Sequence, residues 1–251
     1  MAFRLLPLLA ALALIAGCGS AEPPKPTVAA FVASSAAPVV DSLAARFEQA
    51  EGVRVEVHAG SSATLAKQAL AGATMHVFLS ADRRWTDELV KAGLVDGAEV
   101  SDLLANRLVM VAASGKSLDP SKPDALRAIR RFAIGDPVSV PVGRYAKEAL
   151  EKAGWWSLLE GAVVTLPDAR AVVKLIESGE AEAGVVYASD AHGTPSLQRV
   201  AFFPGEVVYP VAASRAADPL ARRFLAFLRT EEARATFEAA GFGVVPAGEG
   251  R

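Results

Sequence analysis

The 251-residue sequence has a single cysteine, three histidines, three tyrosines and three tryptophans. One cysteine leaves no partner for an intramolecular disulfide. His58, His76 and His192 stand apart in the chain, and none forms an HExxH or other close metal-ligand pattern, so surface or turn positions suit them better than a metal centre or general base. Basic blocks are missing as well: 26 Lys and Arg face 28 Asp and Glu, a net charge of −2. The long-range field that draws nucleic acid is therefore absent, and no nucleic-acid partner is expected. The apolar stretch from Leu5 to Ala16 falls short of the roughly 20 residues that a spanning helix needs. Nor is the G-x-S-x-G elbow of serine hydrolases complete, because Gly60-Ser61-Ser62-Ala63-Thr64 carries threonine at the second glycine position. Asp82, Asp87, Glu88 and Asp136 fall where helix starts and turns ordinarily place acids. Trp155-Trp156, just after Gly154, reads as the anchor of a helix end in the core, with a ligand-stacking wall as the alternative.

What is present is a globular composition, 52 % hydrophobic, arranged as short β-type runs alternating with helix-type runs. "TVAAFVAS" precedes "APVVDSLAARFEQAEG", in which Val39, Leu43 and Phe47 recur at helical spacing and Gly52 supplies the stop. "VRVEVHA" alternates as a half-buried strand, "SATLAKQALAG" reads as a helix, "HVFLSA" as a strand and "RRWTDELVKAG" as a helix. A second series begins at "NRLVMVAAS", passes the polar loop "GKSLDPSKPD", and sets strands at "RFAIGD", "AVVTLP" and "AGVVYAS" around helices at "GRYAKEALEKAG" and "DARAVVKLIESG". "EVVYPVAAS" and a final helical stretch, 218–242, return toward the first half. This rhythm predicts an α/β fold of two lobes with mixed, mostly parallel sheets: residues 27–107 and 209–251 in the first, 108–208 in the second. The crevice between them, at the carboxyl ends of the strands, is the expected ligand site. A single doubly wound domain is the alternative.

Small or hydroxyl residues repeatedly precede helices. Ser34-Ser35 and Ser61-Ser62 lead into the first two, and Val142-Gly143 and Asp168-Ala169 introduce two in the second half. Each such start offers unsatisfied N–H groups and the positive end of a helix dipole, favouring an anion by roughly 0.3–1 kcal/mol. Taken singly, each serine is also explained as an N-cap.

At the front, "MAFRLLPLLAALALIAGCGS" has the pattern of a signal peptide over residues 1–17, and Ile15-Ala16-Gly17-Cys18 resembles the bacterial lipobox, whose cysteine is lipidated. Residues 18–26, "CGSAEPPKP", read as a proline-rich, lipid-anchored tether. Removing residues 1–17 takes away Arg4 alone, leaving 25 basic against 28 acidic side chains, a net −3.

Six motifs in order, "GSSATLAKQ", "VFLSADRRWTDEL", "NRLVMVA", "AIGDPVSVPVGRYAKEAL", "VVYASDA" and "EVVYPVAA", run through a chain that from Val28 to Val245 resembles the periplasmic molybdate-binding protein (ModA) family, the receptors of molybdate ABC importers. The resemblance implies a type 2 periplasmic binding fold that closes over a tetrahedral oxyanion. The ligand contacts it implies are the hydroxyls of Ser35 (Ser34 in the alternative register) and Ser62, the backbone amides of Val142 and Ala169, and the phenol of Tyr187. Molybdenum would be bound only as the oxyanion through these residues, with no catalytic residue and no cofactor. The implied protein is a monomer at the outer face of the envelope or in the periplasm, lipid-anchored through Cys18 and partnered by a membrane permease. Two positions depart from the family pattern: Val142 stands where the family has alanine, which bears on pocket width, and His76 stands where it has aspartate, which bears on the strand and hinge nearby.

A site of N–H and hydroxyl donors without a carboxylate favours a fully deprotonated oxyanion, which sets molybdate, tungstate and sulfate apart from phosphate. Size must then separate molybdate from sulfate. A receptor for another oxyanion such as sulfate, and more distantly a serine-dependent hydrolase, are the competing readings.

Overall fold

The computed structural model describes residues 25–245, so the leader, Cys18 and most of the tether lie outside the described residues, as does the chain from 246 onward. The first unit is built from β1 (Thr27–Ala33), α1 (Ala37–Glu51), β2 (Arg54–Gly60), α2 (Ser62–Leu70), β3 (Val77–Leu79), α3 (Arg83–Lys91) and β4 (Ser101–Asn106). The second holds β5 (Leu108–Ala113), α4 (Pro123–Arg127), β6 (Phe132–Gly135), α5 (Pro141–Lys152), α6 (Trp156–Leu159), β7 (Val163–Leu166), α7 (Ala169–Glu177), β8 (Ala183–Tyr187), α8 (Ala188–Ala191) and β9 (Leu197–Phe202). The chain then returns through β10 (Val207–Ala213), α9 (Pro219–Phe227), α10 (Glu231–Ala239) and β11 (Gly243–Val244).

Two sheets result, one ordered β11-β4-β10-β3-β1-β2 and the other β7-β6-β8-β5-β9. The chain passes from the first to the second at Arg107 and comes back between Phe202 and Val207. Both sheets are mixed, but the expectation that they are mostly parallel needs correcting. Among the described residues, β1-β2, β1-β3, β6-β7 and β6-β8 pair parallel, whereas β10 pairs antiparallel with β3 and β4, β11 with β4, and β5 with β8 and β9. Four of these five antiparallel ladders involve β5 or β10, the strands that enter a sheet directly from the other one without a helical crossover and so run against the βαβ direction; the fifth joins the two-residue β11 to β4.

Strands in this fold read as nearly unbroken apolar runs because helices cover both faces. Along β1, Val28, Ala30 and Val32 face the large core with α1, whereas Phe31 faces a smaller core with Leu65, Phe78 and Leu89. Along β5, Met110 and Ala112 join the large core while Val109 and Val111 pack with Val172 and Ile176 of α7. Fully buried side chains such as Leu43, Phe78 and Phe132 each contribute roughly 1.5–3 kcal/mol by leaving water. In α1 the buried stripe is Ala37, Val40, Leu43, Ala44 and Phe47, so Val40 rather than the partly buried Val39 belongs to it. Gly52, at φ 68°, ends that helix in the left-handed conformation, its N–H donating to the Glu48 carbonyl at 2.9 Å.

The sequence reading missed β4, β9 and β11, and the final helical stretch is broken: Thr230 caps α10, its Oγ1 accepting the Ala233 N–H at 3.3 Å. Trp155 does anchor core, meeting Phe203 edge-on with ring centroids 5.7 Å apart. His76 stands at the start of β3, at the opposite end from the crevice, where its Nδ1 accepts the Ala29 N–H at 3.0 Å. It thus pins β3 to β1 rather than acting on the crossing strands.

Candidate functional site

The carboxyl ends of β1, β2, β6 and β8 meet between the two sheets, and each hands the chain to the start of a helix. In the crevice there, one pocket is lined from the first lobe by Ala33, Ser35, Gly60, Ser62 and Ala81, and from the second by Val142, Asp168, Ala169 and Tyr187. All five residues expected as ligand contacts therefore line a single pocket, and so does Ser34, the alternative in register. The pocket is small, about 10 Å³ on the measure by which roughly 10–15 Å³ admits one water molecule.

Local structure explains why donors point into it. In α2, Ser61 is the N-cap: its Oγ accepts the Thr64 N–H at 3.1 Å and its carbonyl accepts the Leu65 N–H at 3.0 Å. The amides of Ser62 and Ala63 are left without intrahelical partners. The Ser62 Oγ accepts the Ala81 N–H at 2.9 Å, which leaves its own hydrogen to donate elsewhere. Ser61 is thus the cap and Ser62 the free donor.

In α5, Pro141 takes the first helical position and has no N–H to satisfy, and the first backbone bond is Arg144 N–H to the Val140 carbonyl at 3.0 Å. The Val142 amide is left over at the pocket. Its helix can start so close to β6 because residue 143 is glycine: a Cβ there would lie 2.0 Å from the Gly135 carbonyl oxygen. In α7, Asp168 caps by accepting the Ala171 N–H at 2.9 Å, leaving the Ala169 amide unpaired. Asp168 also corrects the expectation of a carboxylate-free site, although its Oδ1 is turned onto its own helix.

Tyr187, at the end of β8, is 2 % exposed, and its hydroxyl has no hydrogen-bond partner among the described residues. Burial pushes its phenol well above the ordinary tyrosine range, so it remains a donor. A buried hydroxyl left unmatched costs about 1–3 kcal/mol, which is recovered when an acceptor reaches it. Ser35, before α1, does not cap that helix, whose N-cap is Ala36 with no side-chain bond; its Oγ instead lies 2.9 Å from the Tyr209 hydroxyl. No Lys, Arg or His lines the pocket among the described residues, and no cluster of three His, Cys, Asp or Glu able to hold a metal occurs among them.

Features that the sequence reading missed surround this pocket. Asp82, expected only as a helix-start acid, does cap α3 through the Arg84 N–H at 3.0 Å. It also receives Arg144 of α5 from the other lobe, Nη2 to Oδ2 at 3.0 Å, with the Asp82 side chain 2 % and the Arg144 side chain 22 % exposed. Asn106 and Tyr209, buried behind Ser35, were also overlooked. All three overlooked positions, Asn106, Arg144 and Tyr209, stand inside the quoted motifs, which was the available signal.

Two α/β lobes whose helix starts and neutral hydroxyls converge on one pocket define a solute-binding receptor, and no helix among the described residues is long and apolar enough to cross a membrane. The chain belongs to the bacterial extracellular solute-binding protein family, whose family model matches residues 28–243. It is 36 % identical to the molybdate-binding protein ModA of Escherichia coli over 97 % of this chain and all of that one. It is 29 % identical to the putative ABC transporter substrate-binding lipoprotein YvgL of Bacillus subtilis, over 93 % of this chain and 95 % of that protein. The Azotobacter vinelandii periplasmic molybdate-binding protein shares the fold, with a TM-score of 0.76 at 21 % identity over 87 % of this chain and 99 % of that one.

Proposed function

We propose that this protein is the receptor of a molybdate ABC importer: it binds molybdate, and by the same chemistry tungstate, between its lobes and presents the closed form to a membrane permease. The proposed ligand set is Ser35, Ser62, Val142, Ala169 and Tyr187, contributed by two lobes: residues 27–107 with the chain from β10 onward, where Val207 and Val208 already pair with β4 ahead of the expected boundary at 209, and the residues between. We further propose that the protein acts as a monomer without cofactor or catalytic step, outside the cytoplasmic membrane, held by a lipid on Cys18.

The observation that carries this reading is a pocket of converging donors, with the buried Tyr187 hydroxyl unmatched and no cationic side chain in the lining. A dianion placed there gives up water, a cost of several kcal/mol. Hydrogen bonds to a charged acceptor contribute roughly 1.5–3 kcal/mol each, so several preformed donors offset that loss. Neutral donors also set the choice of anion. Phosphate near neutral pH retains a proton, which would face donors at most of these positions; Asp168, whose Oδ1 is turned onto its own helix, is the one carboxylate in the lining. Sulfate carries no proton and is separated from molybdate by size. Contacts from both lobes make affinity depend on closure, so the ligand shifts the population toward the closed state that a permease recognises.

Titration calorimetry with molybdate, tungstate, sulfate and phosphate tests the proposal. Molybdate and tungstate are expected to bind far more tightly than the other two; sulfate bound as tightly as molybdate would overturn the assignment. Turnover of a substrate panel, abolished by Ser62→Ala, would instead favour a hydrolase.

A further inference from the structure

Ser35 can serve an anion only if its hydrogen points at the pocket, and its single protein partner is another hydroxyl, that of Tyr209 at 2.9 Å. Either oxygen could donate in that pair taken alone. The residue behind it decides. Asn106, 3 % exposed, ends β4 where the chain crosses between sheets. Its Oδ1 accepts the Arg107 N–H at 2.9 Å and the Ser189 N–H at 3.4 Å. These two backbone donors fix the orientation of the amide, so its NH2 faces the Ser189 Oγ at 2.8 Å and the Tyr209 hydroxyl at 3.4 Å.

An amide NH2 donates and does not accept. The Tyr209 oxygen therefore accepts from Asn106, and among the described residues the Ser35 Oγ is the one hydrogen-bond partner left for its own hydrogen. The opposite arrangement, Ser35 donating to Tyr209, would strand the phenolic hydrogen of a residue that is 0 % exposed. It would also turn a serine lone pair toward the anion.

We infer that Tyr209 and Asn106 are positioning residues for the pocket: a one-way relay from Asn106 through Tyr209 to Ser35 holds the serine as acceptor from behind and leaves its hydrogen for the ligand. This rests on the proposed role of Ser35. Neither Tyr209 nor Asn106 lines the pocket, so their hydrogen-bonded path to it runs through Ser35. Successive bonds in such a chain polarise one another, which makes the last hydroxyl a better donor. The relay also starts at the crossing between lobes, with Asn106 bonded to Ser189 of the second lobe and Tyr209 of the first.

The test is a double-mutant cycle read by molybdate calorimetry on the full chain: wild type, Ser35→Ala, Tyr209→Phe and the pair. Tyr209→Phe keeps the ring and its edge-on packing against Tyr187 and Phe242. It is expected to weaken molybdate roughly tenfold, the scale of one hydrogen bond to a charged acceptor. In a Ser35→Ala background the same change is expected to cost almost nothing, a non-additivity that a merely structural tyrosine would not show. Should Tyr209→Phe fold poorly, Asn106→Ala breaks the relay at its other end, and its cycle with Ser35→Ala answers the same question. Equal losses in both backgrounds, or no loss from Tyr209→Phe while Ser35→Ala weakens binding, would overturn the relay and leave the proposed function standing. Unchanged affinity in Ser35→Ala would overturn the assignment of Ser35 and the relay with it.

Discussion

A serine, a tyrosine and an aspartate at this pocket behave differently from what their types suggest. Ser62 carries no base and makes no cap; it accepts one backbone N–H and keeps a hydrogen to give. Tyr187 keeps one too, with nothing among the described residues to receive it. Ser62→Ala and Tyr187→Phe are each expected to weaken molybdate about 10- to 100-fold, the scale of a hydrogen bond to a charged acceptor, while circular dichroism and ligand-free melting stay near wild type. Unchanged affinity in both variants would refute the assignment. Asp190, three residues on, is of another kind. Its carboxyl, packed round by protein although the residue is partly exposed, accepts the Tyr187 N–H at 3.1 Å, and burial pushes it up to about 7 against that bond. The folded state therefore holds this proton more tightly than the unfolded chain does. Stability from this group is full below the ordinary aspartate range and is lost as pH rises from about 4 toward 7. Asp190→Asn keeps an acceptor and cannot ionise, so its melting temperature is expected to gain on wild type across that window; parallel curves from pH 4 to 7 would contradict this.

At the level of elements, the site depends on how closely helix starts approach strand ends. The tightest approach is Gly143 of α5 over Gly135 of β6, where an added Cβ would overlap a backbone oxygen that cannot swing aside. Gly143→Ala is expected to push the start of α5 away, lowering the melting temperature and weakening molybdate together, because the Val142 amide moves with it; thermal melting and calorimetry on one preparation check both. Such elements were the legible part of the chain. Ser61-Ser62 before an apolar-periodic run is a local signal and marks a true helix start, whereas the helix read from Gly143 begins two residues earlier, at Pro141. Strand β4 was not legible, because "SDLLAN" owes its strand to β10 and β11, which arrive more than 100 residues later. Tyr209 shows the same limit: its alternating strand can be read, but its bond to Ser35, 174 positions away, cannot. That the starts of α1, α2, α5 and α7 face one pocket is likewise a property of the strand order, which composition does not carry.

Across the whole molecule, the lobes touch on one side of the pocket through Arg144 and Asp82, each two residues or fewer from a pocket-lining residue, Val142 or Ala81. Opening the cleft separates this pair but leaves Asp82 with Arg84, Nη2 to Oδ2 at 2.9 Å, so neither lobe is left with a bare buried charge. Arg144→Met is accordingly expected to fold normally and to bind molybdate about two- to tenfold more weakly, with a flatter dependence on salt than wild type. Calorimetry at low and high ionic strength measures this, and an unchanged salt slope would show that the pair does nothing for closure. The unmatched hydroxyl of Tyr187 has the reverse influence: it makes closure unrewarding unless an acceptor is enclosed. For an importer that hydrolyses ATP when a closed receptor docks, this is a safeguard against false alarms. A receptor with charged, self-satisfied pocket walls could shut on nothing and trigger a futile turnover. One whose pocket leaves a buried donor unmatched, as Tyr187 does here, would signal chiefly when it has cargo, and fuel consumption would stay tied to ions delivered.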